Sequence, residues 1–212
     1  MAATGRYSRR QPRPCGIQPD AMERFRVEGA DSLLGGQQAT CLLPPLGNRW
    51  LHVQGVVERA RFVAPIFDEG DQALLITAAY LYDLGYAPSL KQTAFQPLDG
   101  AVYLRSQGYE RVACLVTHHF AVRYEAQVRG CDALLQEFPR ERSPLADALE
   151  YCNCTTGPTG EQITLKQCAA EIRSRYQAGD VVVQALGLAM PHLALAVART
   201  QQRLLRSGDI HV

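Results

Sequence analysis

Residues 71–86 read DQALLITAAYLYDLGY. Apolar side chains fall on nearly every face of this segment, which predicts a helix buried on all sides at the centre of a domain. Asp71 stands where it can cap the helix, and Gly85 where the helix can end. Asp83 is the exception in so apolar a stretch, because burying a carboxylate without a partner costs free energy.

The segments on either side also have helical periodicity. Upstream, Asn48 can cap a helix that carries Trp50, Val53, Val56, Val57, Ala60 and Ala64 along one side and stops near Pro65; His52 lies close to its apolar stripe. Downstream, Pro97 suits the first turn of a helix through Ala101 and Leu104, and a further helix runs from Glu110 to about His119. Ser143-Pro144 opens another, and residues 155–160 (TTGPTG) form a loop. Thr164 and Gln167 match a capping box. Val181 starts a helix expected to end at Pro191, with a last helix carrying Leu193, Leu195, Val197 and Leu204. No second strand signal accompanies the β-branched run at 181–183. The fold class expected is all-α, a single helical domain.

The composition agrees with this reading. The chain has 212 residues, 47% of them apolar and 20% charged, as expected for one globular domain. A formal net charge of +1 does not call for nucleic acid or an acidic membrane as partner. No apolar run is read as long enough for a bilayer crossing, and the N-terminus MAATGRYSRRQPRP lacks the apolar core of a secretory signal, so the expected compartment is the cytoplasm. Residues 1–20 read as a mobile basic tail, 21–47 as an extension packing on the domain, and 48–206 as the helical domain. The seven cysteines are odd in number and irregular in spacing, which favours reduced, mostly buried thiols over disulfides or a zinc site.

Ionisable groups inside apolar helices mark the candidate site: His52, Asp83 and the pair His118-His119. Alone, each is as easily a structural residue as a functional one. Their order and surroundings say more. His52 leads HVQGVVERA; Asp83 lies in AAYLYDLGYAP; residues 93–105 read TAFQPLDGAVYLR; VTHH follows at 116–119; and residues 145–158 read LADALEYCNCTTGP. This series, over about residues 48–205, resembles the small stand-alone proteins of the HD-domain superfamily of metal-dependent phosphohydrolases.

The resemblance implies an HD-type helical bundle. Its members aim a first histidine, a His-Asp pair and a late aspartate at one or two divalent ions, which activate water for phosphate-ester hydrolysis. His52 matches the first histidine and Asp83 the aspartate of the pair. Tyr82 stands where the pair's histidine belongs, Gln96 replaces the histidine of the H-P-x-D-G-A segment, and Asn153 takes the place of the late aspartate. A phenol and two amides are poor substitutes for imidazole and carboxylate at a divalent ion.

The reading that follows is a divergent, metal-poor site acting as an acid–base catalyst on a small molecule. Asp83, His52, His118 and Tyr82 are the expected catalytic groups, and Gln96, His119, Asn153 and Lys91 the expected substrate contacts. His52, Asp83 and His118 are the ligands of whatever reduced metal site remains. No resident cofactor is expected, or at most a weakly held divalent manganese, iron or magnesium ion. Two alternatives stand beside this reading: a conventional hydrolase with a reduced site, and a non-catalytic ligand-binding pseudoenzyme. Arg105 and Arg123 are further candidate anion contacts.

Overall fold

Caps and prolines divide the chain into helices, and a computed structural model describes residues 31–208 of it. The α-helices are α1 (Asp31–Leu42), α2 (Asn48–Val63), α3 (Glu69–Leu81), α4 (Gln96–Ser106), α5 (Glu110–His118), α6 (Val122–Arg129), α7 (Pro144–Cys154), α8 (Leu165–Arg175) and α9 (Val181–Ser207), with short 3-10 turns between several of them. Among the described residues the only β-type pairing is an isolated bridge, Thr156 to Gln162. The fold is all-α. The proposed tail and residues 21–30 lie outside the described residues.

Helix α3 is central, as its composition predicts: it packs against α1, α2, α5 and α7, and buries Leu75, Thr77, Ala78, Ala79 and Leu81. Each large apolar side chain so buried contributes about 1.5–3 kcal/mol. Its ends differ from expectation. The cap is Asp68, whose side chain accepts from the Asp71 amide at 2.9 Å, and Asp71 is already helical. The helix ends at Leu81, so Asp83 lies just beyond it and leads into the turn 84–86. The reason is at Gly85, where a Cβ would lie 1.8 Å from the Gln96 carbonyl oxygen. The chain must leave the helix to lay this glycine against the start of α4.

Other caps follow the sequence more closely. Ser143 accepts from the Ala146 amide at 3.2 Å, and Thr164 with Gln167 forms the capping box. Asn48 is inside α2 rather than its cap; that position belongs to Gly47, at φ 58°. Two helices not foreseen, α1 and α6, complete the bundle, α1 lying along α3. Of the described cysteines, Cys114, Cys152, Cys154 and Cys168 are buried, and none is in a disulfide.

The largest departure is α9. Pro191 does not divide it, and the helix runs unbroken from Val181 to Ser207. A buried stripe of Ala185, Leu186, Ala189, Leu193, Ala196, Thr200 and Leu204 packs on α6, α7 and α8, and this tertiary contact outweighs the lost hydrogen bond at the proline. The expectation of no long apolar run also needs correction. Residues 181–198 contain no Asp, Glu, Lys or Arg, and α9 is long and apolar enough to cross a membrane by length and composition, with a window mean hydropathy of 1.9. Gln184, Gly187, Pro191 and His192 break the run and lower its mean, but the Val, Leu and Ala residues around them keep it high.

Candidate functional site

Arg49 and His52 sit three residues apart on α2 and therefore share one face. That face meets the segment after α3, the start of α4 and the C-terminal end of α7. A cavity of about 600 Å³ opens there, bordered by His52, Tyr82, Asp83, Gln96, His119 and Asn153. Six residues spread over a hundred positions of sequence thus line one space, together with Arg49.

Asp83 is buried, and its partner is Arg49: Nη1 donates to Oδ2 at 2.7 Å. The guanidinium also lies over the Tyr86 ring, 3.5 Å from its centre. Burial works against the charged guanidinium, and Asp83 and Tyr86 outweigh it, so the Arg49 pKa is pushed above its ordinary value. The carboxylate charge foreseen as free for chemistry is therefore neutralised in place. Arg49 was not among the expected residues; its spacing to His52 was the one available signal.

His52 is held at both nitrogens. Nδ1 lies 2.9 Å from the Gly157 carbonyl oxygen, which only accepts, so Nδ1 carries the proton. Nε2 lies 3.2 Å from the Asn153 amide oxygen. The ring is thereby fixed between the loop at Gly157 and the end of α7 at Asn153. The loop that supplies Gly157 is seated by two glycines: a Cβ on Gly55 of α2 would meet the Gly160 backbone at 2.5 Å.

Tyr82 is 2% exposed, and its hydroxyl, near enough to the Asp83 carboxylate to feel it, makes no hydrogen bond of close geometry. Burial, then the negative charge of Asp83, push its pKa well above the ordinary phenol value, so it stays protonated and remains a donor. Its ring sits edge-on to those of His52, at 6.1 Å between centres, and His119, at 5.2 Å. His119 is buried, with Nδ1 2.5 Å from the Val116 carbonyl oxygen. The proton is thus on Nδ1, and Nε2 is left as an acceptor. Burial lowers the His119 pKa, which keeps the ring neutral near pH 7.

The pair His118-His119 separates here. His118 closes α5 and turns to the opposite side, where Nε2 meets the Phe138 carbonyl oxygen at 2.6 Å. His119 leaves the helix with extended backbone and is followed by Phe120 at φ 52°, a left-handed conformation unusual outside glycine. Neighbouring side chains at a helix end diverge by about 100° or more, so His118 is turned away from the cavity of His52 and Asp83 that His119 borders. His118, expected as a catalytic group and metal ligand, does not border this one. Lys91 does not either: the turn 88–90 buries Leu90 and leaves Lys91 exposed. Arg105 is engaged at the surface with Glu110, at 2.8 and 2.7 Å. Gln96 is where expected, at the start of α4, a segment pinned by buried Asp99 accepting from the Thr93 amide and hydroxyl at 2.8 Å each.

A divalent ion suits this arrangement poorly. Asp83 is paired with a guanidinium, both His52 nitrogens have protein partners, and the phenol resists ionisation. Among the described residues no group of three His, Cys, Asp or Glu side chains is gathered to hold a metal. What the cavity offers instead is a neutral imidazole acceptor, an unpartnered phenol donor, two amides and a guanidinium. The chain matches no family model, no curated protein and no solved structure.

Proposed function

We propose that this protein is a metal-poor relative of the HD-domain phosphohydrolases that binds a small polar molecule and moves a proton on it, His119 serving as the base and Tyr82 as the hydrogen-bond donor. The family reading is supported by the motif order in the sequence, by the all-α fold, and by six matched residues lining a single cavity. The observation that carries the chemistry is His119 itself. Its Nδ1 proton is fixed on a backbone carbonyl, and its Nε2 stands as a free acceptor beside an unpartnered phenol. A buried base that is neutral at working pH is the form general-base catalysis needs. Asp83 and His52 then act as positioning residues, Asp83 through Arg49 and His52 through Asn153.

Histidine-selective nitrogen NMR on protein purified with chelator tests this, with His119→Gln to assign the signal. The expected spectrum at pH 7 has His119 neutral and protonated at Nδ1. One equivalent of manganese should leave the His52 and His119 signals sharp. A charged His119, or the opposite tautomer, overturns the assignment of the base. Selective broadening of His52 and His119 by stoichiometric manganese returns the conventional hydrolase to first place.

A further inference from the structure

Behind the His118 side of α5 lies a second cavity of about 520 Å³, walled by α5, α6, the segment leading into α7, α7 itself and α9. Five guanidiniums border it: Arg123, Arg140, Arg142, Arg199 and Arg203. They come from three separate parts of the chain, and Arg199 with Arg203 is an i,i+4 pair on one face of α9.

Three acids also border this space, and none offsets that charge fully. Glu141 is turned to Arg111, which is outside the cavity, at 2.9 Å. Asp147 faces Arg199 at 3.6 Å. Glu150 is 5% exposed, and its Oε1 lies 3.2 Å from His192 Nε2. That same nitrogen is 3.2 Å from Arg140 Nη2, a group that only donates. The Glu150 carboxyl is thus turned to His192, and Arg140 meets that ring nitrogen rather than the carboxyl. Burial raises the Glu150 pKa, with His192 and Arg140 acting against it. Arg123, Arg140, Arg142 and Arg203 are left without a carboxylate partner among the described residues. Crowding is felt at Arg140, whose pKa is lowered first by burial and then by Arg123 and Arg142.

Unsatisfied atoms collect in the same place. Glu150 Oε2, His118 Nδ1 and Arg123 Nε are all buried without a hydrogen-bond partner, and all three residues border this cavity. Arg123 Nε is a buried donor that an anion's oxygen can satisfy, whereas His118 Nδ1, whose ring proton is on Nε2, and Glu150 Oε2 are acceptors that call for a donor on the same ligand.

We propose that this second cavity is an anion site that takes the phosphate or diphosphate end of a small molecule, its oxygens gripped by Arg123, Arg140, Arg142 and Arg203. Four unpaired guanidiniums suit a group with several negative charges better than a single carboxylate, and the planar fork matches phosphate oxygens in pairs. The site stands independently of the family reading and of the first cavity, since it shares only the edge formed by His119.

The test is calorimetry on the full chain with inorganic pyrophosphate, at low salt and with chelator present. Binding of one equivalent is expected, weakening as salt rises. Arg140→Gln should weaken it at least about tenfold, which is what losing a charge-assisted forked contact implies. Arg142→Gln, at an exposed position where folding is not at risk, should weaken it about three- to tenfold. Arg173→Gln, exposed on α8 and away from the cavity, should leave it unchanged. Absence of binding at millimolar pyrophosphate overturns the proposal, and so does equal binding by the wild type and the Arg140 and Arg142 variants. Displacement of pyrophosphate by a much tighter-binding single-stranded oligonucleotide overturns the small-molecule assignment.

Discussion

Replacing Arg49 by methionine asks whether Asp83 belongs to a protein ion pair. The change keeps the aliphatic stem and removes the guanidinium 2.7 Å from the carboxylate. Removing one partner of a buried pair costs about 3–5 kcal/mol, because the charge left behind has neither water nor counter-charge. Here the Asp83 side chain is 6% exposed and that of Arg49 28%, so water reaches the vacated end and the cost falls to about 2–3 kcal/mol. Asp83→Asn keeps the acceptor oxygen and removes the charge, and should cost about 1–2 kcal/mol. The double variant has no stranded carboxylate, so it should be more stable than the sum of the singles predicts, by at least about 1 kcal/mol. For a chain of this size the Arg49→Met loss corresponds to a fall in Tm of about 4–12 °C. Urea unfolding followed by circular dichroism measures all three, with Arg61→Met at the exposed Tyr80 contact as control. A cost below about 0.5 kcal/mol for Arg49→Met, or strict additivity in the double variant, refutes the pairing.

Tyr82→Phe removes a buried hydroxyl that has no partner, so stability should hold or rise by up to about 1 kcal/mol; a loss larger than that in the same urea assay would reveal a partner for the phenol. Gly85→Ala should cost at least about 3 kcal/mol or prevent folding, since its Cβ would lie 1.8 Å from the Gln96 carbonyl, whereas Gly187→Ala on the open face of α9 should gain about 0.5–1 kcal/mol; thermal melts separate the two. Burial lowers the pKa of His118 and His119 from 6.5, so the stability they contribute is present above that pH and is lost as pH falls through it, because the unfolded chain takes up protons that the folded chain refuses; His119→Gln should flatten the fall between pH 7.5 and 5.5, and an unchanged slope refutes this. Tyr82→His with Asn153→Asp should raise manganese affinity at least about a hundredfold by calorimetry, roughly 2.7 kcal/mol, and no gain would mean that these are not ligand positions.

The all-α class and the central place of α3 were legible in residues 71–86, because a segment apolar on every face has nowhere stable to go but the middle. Ser143-Pro144 and the Thr164–Gln167 box were equally legible, since caps act on backbone groups within four residues and need no tertiary context. The joint location of His52, Tyr82, Asp83, Gln96, His119 and Asn153 could be anticipated from motif order alone. What each of them does there could not. Arg49 neutralises Asp83, Gly157 and Asn153 hold His52, and Val116 sets the His119 tautomer, each through a partner that only folding brings near. The split of His118 from His119 depends on Phe120 adopting a left-handed backbone, which nothing in its residue type announces. Pro191 inside α9 shows the same division: local propensity said stop, and packing against α6, α7 and α8 carried the helix through. The arginine cavity was invisible for a related reason. Its cations come from α6, the segment before α7, and α9; Arg123 alone was singled out in sequence as an anion contact, and only the closed bundle brings the five together with too few free acids to balance them.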